Sequence, residues 1–507
     1  MARRVLARLW SAALFGVEAS LVRVEVDVSF GLPTFSMVGL PDSSIRESRD
    51  RVRSAIRNSG FEFPAHRITI NLAPADVRKR GTSFDLPIAV GVLAASGAIK
   101  QREFSGLLIL GELSLDGRIQ PTRGVLPVAL TARRNRLSLL LPAPSGREAA
   151  VVPDLDIGMV SSLAEAAAVL NEERAAEVPG AAARQPSPAE TDRDLADIRG
   201  QGAAKRALEI AAAGHHNLLL VGPPGAGKTL LAWSLPGILP PPSFDEIIET
   251  SAIHSVLGLI PAAGGLVRSR PFRAPHHTAS EAALIGGGSE PHPGEVSLAH
   301  NGVLFLDEIA EFERRALEVL RQPLEEGSVS IARAAGIATF PARFMLVAAM
   351  NPCVCGYLGD PVRACRCTPL QISRYHGRLS GPLRDRLDIT VPVAPVPAGT
   401  LTGPRNGESS RAVRARVLEA RQRQAQRYRG LPCRTNAGLR GPRLAAFCAL
   451  GPDERRLLER AVTRLGLSAR AFDRVRRVAR TIADLEGSAV VGAAHLAEAL
   501  GYRDERS

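Results

Sequence analysis

The segment that most constrains this 507-residue chain is GPPGAGKT at 222–229, which fits the pattern G-x-x-x-x-G-K-[ST] in full. It follows an apolar run, NLLLV at 217–221, and leads into the helix-compatible LLAWSL. A strand that turns through glycines into a helix aims backbone N–H groups and the positive helix end at one point. A nucleotide's phosphate chain is the ligand such a turn takes. Gly222, Pro223, Pro224, Gly225, Ala226 and Gly227 would form the cradle. Lys228 would place its ammonium on the β- and γ-phosphates, and the Thr229 hydroxyl would ligate Mg2+ beside ATP.

Two further strand ends extend this reading. VLFL at 303–306 ends in Asp307-Glu308. Asp307 would hold Mg2+ through water, and Glu308 would orient and polarise the attacking water. The 79 residues from Lys228 to Asp307 suit a P-loop fold with an insertion. FMLVAAMNP at 344–352 ends in Asn351, which can sense the γ-phosphate. Its other reading is a turn cap before Pro352.

Around this core the pattern divides the chain. Residues 1–170 alternate strands and helices: LVRVEVDVSF and RITINLAP have period two, and SSIRESRDRVRSAIRNSG predicts a helix capped by Ser43 or Ser44 and stopped at Gly60. DLPIAVGVLAASGA predicts a buried helix, and LLILGELSLDGRI a hairpin turning at Asp116-Gly117. Residues 171–193 lose apolar period and predict a linker. An α/β region spans 194–395, and 396–507 opens on a Pro/Gly/Ser break and reads as helical. The expected class is α/β: an N-terminal α+β domain, a P-loop α/β core and a C-terminal all-α domain.

Charge and cysteine usage narrow the partners. The formal net charge is +13, but only four residues are lysine, so arginine richness by itself reflects coding composition. Its distribution says more: 22 arginines face 11 acidic residues from 401 onward. Either a polyanion docks there or the helices carry a solvated basic face. Arg3 and Arg4 before VLARLWSAALFGVEA resemble a signal peptide, yet Arg8 breaks the apolar run and a strand pattern follows at once. No apolar stretch is long enough to span a bilayer, so the expected setting is the cytoplasm, without a membrane partner. Cys353, Cys355, Cys365 and Cys367 form C-x-C-x9-C-x-C. Three readings stand: a tetrahedral Zn2+, reduced thiols without metal, or redox chemistry. Cys433 and Cys448 are isolated and read as structural.

Longer blocks carry a resemblance across nearly the whole chain. SFGLPTFSMVGLPDSSIRESRDRVRSAIRNSG, the phosphate loop, RPFRAPHHTAS, PGEVSLAHNGVLFLDE, NPCVCGYLGD, SGPLRDRLDI and LSARAFDRVRRVARTIADLEG resemble the magnesium-chelatase-like AAA+ ATPases of the YifB/ComM type. The resemblance implies a homo-hexameric ring with ATP between subunits and the C-terminal helices as a lid. It implies an arginine finger at Arg386, with Arg384 as competitor and Arg374 further off, and a sensor-2 arginine at Arg470 that contacts phosphate from the lid. Residues 256–299 and 328–343 resemble that branch's insertions, the second a hairpin around Ala335-Gly336. Arg268, Arg270, Arg273, His276, His277 and Arg333 are candidates there for a nucleic-acid backbone, His276-His277 being equally readable as a hydrogen-bonded corner.

The N-terminal domain resembles the Lon protease domain. KRGTSFDLPIAVGVL places Ser83 at the Lon serine, but Leu126 stands at the lysine. A serine without a base is no nucleophile, so no peptidase activity is expected. The function implied is an ATP-driven motor on single-stranded or branched DNA, promoting branch migration or helicase activity in homologous recombination or natural transformation. The alternatives are a metal-insertion subunit and a protein-remodelling ATPase.

Overall fold

The alternating N-terminal segments assemble into one seven-stranded sheet. A computed structural model describes residues 5–503 apart from 41, 77–78, 80, 102, 181–192, 261–264, 289–290, 334–335, 398 and 401–406. The strands lie in the order Thr34–Val38, Arg67–Ala73, Glu18–Ser29, Val5–Phe15, Glu103–Ile109, Ser138–Pro142 and Ile157–Val160. The signal-peptide-like run is therefore a strand, paired antiparallel with Glu18–Ser29 and parallel with Glu103–Ile109. Side chains alternate across the sheet: Leu9, Val24 and Ile70 pack with helices Ser43–Asn58 and Asp85–Ser96, whereas Leu139 and Leu141 pack with helix Val125–Arg134.

Two local expectations are corrected. Asp42, not Ser43 or Ser44, caps the first helix, its carboxylate accepting the Ile45 N–H at 2.9 Å. Asp is as good an N-cap as Ser. The hairpin about Asp116-Gly117 is short, pairing Glu112–Leu113 with Ile119–Gln120. The preceding apolar residues belong instead to the main sheet, where Ile109 sits in register with Leu140. Of the predicted linker, the segment up to 180 runs along the sheet edge, the Met159 N–H donating to the Glu177 carbonyl at 2.7 Å. Residues 181–192 lie outside the described residues, as does Ala335 of the second hairpin's turn.

The nucleotide-binding pattern lies on a second sheet of five parallel strands, in the order Phe272–Arg273, Val303–Leu306, Met345–Met350, Leu218–Val221 and Ile389–Pro392. The three central strands are continuously apolar because both faces are covered. Helix Gly202–Gly214 and the C-terminal helices Ser410–Arg427, Ala469–Leu485 and Ala493–Gly501 pack over one face. The other holds Leu304, Leu306 and Leu346 against the antiparallel hairpin Ser328–Arg333 and Gly336–Pro341. Phe15 and Val17, at the tip of the first N-terminal hairpin, pack on that same cluster. The two sheets are also joined where the Gly124 N–H donates to the Ser255 carbonyl at 3.0 Å.

Four of the C-terminal arginines are neutralised inside the fold. Arg474, Arg477 and Arg480 are buried on helix Ala469–Leu485 and meet Asp385, Asp388 and Asp484. Arg427 grips Asp484 with two bonds of 2.9 and 2.6 Å. A buried guanidinium must be paired, so these arginines form neither a solvated face nor a polyanion surface.

Candidate nucleotide site

Because the core strands are parallel, their C-terminal ends meet at one edge, where α/β sheets bind ligands. The loop at 222–227 follows Leu218–Val221, Asp307 follows Val303–Leu306, and Asn351 follows Met345–Met350. Gly225 and Gly227 have φ of +77° and +91°, the left-handed region that lets the loop curl into helix Lys228–Ser234. At Gly222 a side chain would run into the Val393 carbonyl.

Lys228 is 8% exposed and folded into its own loop. Its ammonium donates to the carbonyls of Gly222 at 2.7 Å and Pro223 at 2.9 Å, and to Asn351 Oδ1 at 3.0 Å. Burial lowers its pKa, against the opposing pull of Asp307 and Glu308. Thr229 Oγ1 donates to Asp307 Oδ2 at 2.7 Å, so the two residues assigned to Mg2+ are adjacent. Their hydroxyl and carboxylate oxygens suit a hard cation. Glu308 is exposed and carries φ of +50°, uncommon for a residue with a Cβ. Its N–H donates to Asp307 Oδ1 at 3.0 Å.

Arg386 and Arg470 are not brought to this edge. They line a cavity of about 800 Å³ with Arg440, Arg474 and Arg477. Other lining residues, Asn217, Phe344 and Asp388, immediately precede three core strands, and no residue of the phosphate loop lines the cavity. The cavity thus opens at the opposite edge of the sheet. Arg386 pairs with Glu325, and Arg470 stands 3.8 Å from Asp385. Burial lowers the pKa of Arg386, helped by the positive charges of Arg470, Arg321, Arg474 and Arg477. Its Nε is buried without a hydrogen-bond partner. Arg384 is tied to the His376 carbonyl at 2.6 Å, and Arg374 is exposed. Arg470, expected to contact phosphate from the lid, thus stands at the edge away from the phosphate loop of its own chain.

The insertion arginines are largely engaged. Arg270 bonds Glu246 at 2.9 Å and the Asn301 carbonyl at 2.6 Å, and Arg273 forms a fork on Glu295 at 2.6 and 2.7 Å. These two are structural, not free backbone contacts. His276 Nδ1 lies 2.8 Å from Thr278 Oγ1, and its ring packs on His277 at 4.1 Å: the hydrogen-bonded corner. Arg333 is exposed, with Nε donating to the Gly288 carbonyl at 3.1 Å. Ser83 lies in the turn Thr82–Phe84, and Leu126 is buried in the apolar cluster of helix Val125–Arg134.

The four clustered cysteines converge. Their Sγ atoms all lie within 4.8 Å of one another, and the thiols are free. Backbone N–H groups of Arg366 and Tyr357 hold the Cys355 thiol down to about 6. Such a set can hold a metal ion.

Comparisons with known proteins agree along the whole chain. Residues 194–401 match the family model described as magnesium chelatase, subunit ChlI, 24–145 that of subunit ChlI of Mg-chelatase, and 407–503 that of its C-terminal region. Competence protein ComM of Haemophilus influenzae is 46% identical over 505 residues, covering 98% of this chain and 97% of that protein. The uncharacterized protein YifB of Escherichia coli is 45% identical over 496 residues, covering 97% and 96%. An uncharacterized protein of Mycobacterium tuberculosis is 44% identical over 500 residues, covering 98% of each. The chain belongs to the magnesium-chelatase-like YifB/ComM family. Membership brings an AAA+ core, and with it ATP and Mg2+ as ligands. Among the described residues no helix is long and apolar enough to cross a membrane.

Reading the sequence missed several residues of this YifB/ComM site. Asn217 ties the cavity edge together: Nδ2 donates to the Arg386 carbonyl at 2.8 Å, and Oδ1 accepts the Leu346 N–H at 2.8 Å. Nothing local marks it, since all its partners are distant in sequence. Asp385 and Asp388 were visible in LRDRLDI, but only its arginines were singled out.

Proposed function

We propose that this chain is the ATP-hydrolysing subunit of a homo-hexameric ring that moves on single-stranded or branched DNA and promotes branch migration in homologous recombination or natural transformation. The observation that carries this reading is the separation of Lys228, Thr229, Asp307, Glu308 and Asn351 from Arg386 and Arg470 at opposite edges of one sheet. In a ring of identical, like-oriented subunits, one face of each subunit meets the opposite face of the next. Arg386 and Arg470 then act on the neighbour's nucleotide rather than their own.

The geometry supports the following residue roles. Lys228 turns from its loop carbonyls to the β- and γ-phosphates. Thr229 and Asp307 hold Mg2+, whose charge offsets that of the phosphate oxygens. Glu308 polarises the attacking water. Asn351, with Oδ1 taken by Lys228, keeps Nδ2 free to donate to the γ-phosphate. The neighbour's Arg386 offsets charge on the transferred group. Cys353, Cys355, Cys365 and Cys367 hold a structural Zn2+. Residues 1–170, 171–193, 194–395 and 396–507 serve as an inactive Lon-like domain, linker, ATPase core and helical lid, in a cytoplasmic protein without peptidase activity.

A relative named a competence protein favours DNA as the substrate. The ChlI family matches favour a second reading, an ATPase subunit for metal insertion. Steady-state ATPase separates them, measured without DNA and with single-stranded, linear duplex or four-way-junction DNA. Stimulation by DNA that Lys228→Ala abolishes is the expected result. Robust turnover indifferent to every DNA would shift the reading to metal insertion or protein remodelling.

A further inference from the structure

We propose that the Zn2+ held by Cys353, Cys355, Cys365 and Cys367 is a rigid wall of the nucleotide site, so that its occupancy sets nucleotide affinity. The inference rests on the zinc reading above and deepens it. The spacing suits the ion. The Sγ separations are 3.4 Å for Cys353–Cys355, 3.6 Å for Cys355–Cys365 and 3.7 Å for Cys353–Cys365. A tetrahedral site with Zn–S bonds of ~2.3 Å has S···S edges of ~3.8 Å. Three of the thiols therefore already stand near the corners of such a site, and Cys367 Sγ lies within 4.8 Å of each of them.

The knuckle touches the phosphate loop. Gly356, between the two cysteine pairs, has φ of +83°. A Cβ built on it would stand 2.6 Å from Pro224 Cδ and 3.9 Å from Asn351 Cγ. Asn351, two residues before Cys353, in turn holds the Lys228 ammonium at 3.0 Å. On the far side Cys367 leads into helix Pro369–His376, capped by Thr368. This helix returns to the same strand end. His376 Nε2 lies 3.0 Å from the Pro352 carbonyl.

Residues 353–367 contain no strand or helix of their own. A metal crosslink therefore supplies rigidity that backbone pairing does not. Without the ion, four thiols crowd one point and the turn at Gly356 is free to leave Pro224. The cradle and Asn351 then lose their support, and ATP must order them on binding.

The test uses the full-length protein without DNA, so the DNA reading does not bear on it. Zinc content is measured by elemental analysis. Affinity for a fluorescent ATP analogue is measured in constant Mg2+, before and after removal of zinc with a zinc-selective chelator. About one zinc per chain is expected, with roughly tenfold weaker nucleotide binding after removal, the size of an ordinary coupling between two bound ligands. Added Zn2+ should restore the affinity, and extra Mg2+ should not. Cys365→Ser and Cys367→Ser should lose zinc and show the same weakening with unchanged far-UV circular dichroism. Gly356→Ala should keep zinc yet weaken nucleotide binding. A protein that neither carries nor takes up zinc overturns the zinc reading and this inference together. Zinc that leaves with less than a twofold change in affinity overturns the coupling alone.

Discussion

The two edges of the core sheet differ in chemistry. At the C-terminal edge the Lys228 ammonium meets Asn351, the Thr229 hydroxyl meets the Asp307 carboxylate, and the Glu308 N–H donates to that same carboxylate. At the opposite edge several guanidiniums crowd a cavity of about 800 Å³, and one of them, Arg386, has its pKa lowered by burial and neighbouring positive charge. The first edge can cradle a phosphate chain and its metal; the second is short of negative charge. A single chain holds both halves, at opposite edges of one sheet.

Breaking the far edge should cost most. Arg386→Ala is expected to lower ATP turnover about 10³-fold with nucleotide affinity retained. Mixing it with Lys228→Ala chains, which keep Arg386 but lack the phosphate-binding ammonium, should restore part of the activity. If mixing restores nothing, Arg386 works within its own chain and the contrast between edges fails. Breaking the near edge should be next. Glu308→Gln should lower single-turnover hydrolysis by about 10²-fold or more while equilibrium ATP binding persists. Lys228→Ala should lose the binding itself.

Two smaller effects sharpen the comparison by testing the scaffold between the edges. Gly222→Ala pushes a methyl toward the Val393 carbonyl and should cost about 1–3 kcal/mol in denaturant unfolding. The smallest concerns His216, His254 and His300, buried around the far edge and the helix beside it, all with pKa lowered chiefly by burial. A folded value below the ordinary one means the unfolded chain binds protons that the native state refuses. The stability is therefore complete above about pH 6.5 and is lost as pH falls below it, by at most ~1.4 kcal/mol per pH unit for each histidine. Denaturant midpoints at pH 7.5 and 5.5 should show this, and His300→Gln should flatten the slope.

Legibility in the sequence followed the range of the interactions. Strands at Glu18–Ser29 and Arg67–Ala73 and the buried helix Asp85–Ser96 were readable because period and burial are local patterns. The N-cap was misread by one residue because Asp42 and Ser43 offer the same oxygen chemistry to the same helix end. Which of the C-terminal arginines are buried and paired was not readable, because a paired and a solvated guanidinium look alike in a sequence. Asp388 and Asp484 decide between them from distant positions.

By itself the sequence determined the phosphate cradle. Glycines at 225 and 227, a lysine and a hydroxyl in fixed order dictate a backbone turn that Lys228 closes onto the carbonyls of Gly222 and Pro223. It also determined that Asp307 and Asn351 end apolar strands. Only the tertiary structure decided that those strands run parallel and place both residues beside Lys228, while Asn217 draws Arg386 to the other edge. It also decided that the cysteine knuckle leans on Pro224. These pairings join residues tens to hundreds of positions apart, and no local pattern encodes which of many equivalent side chains meets which.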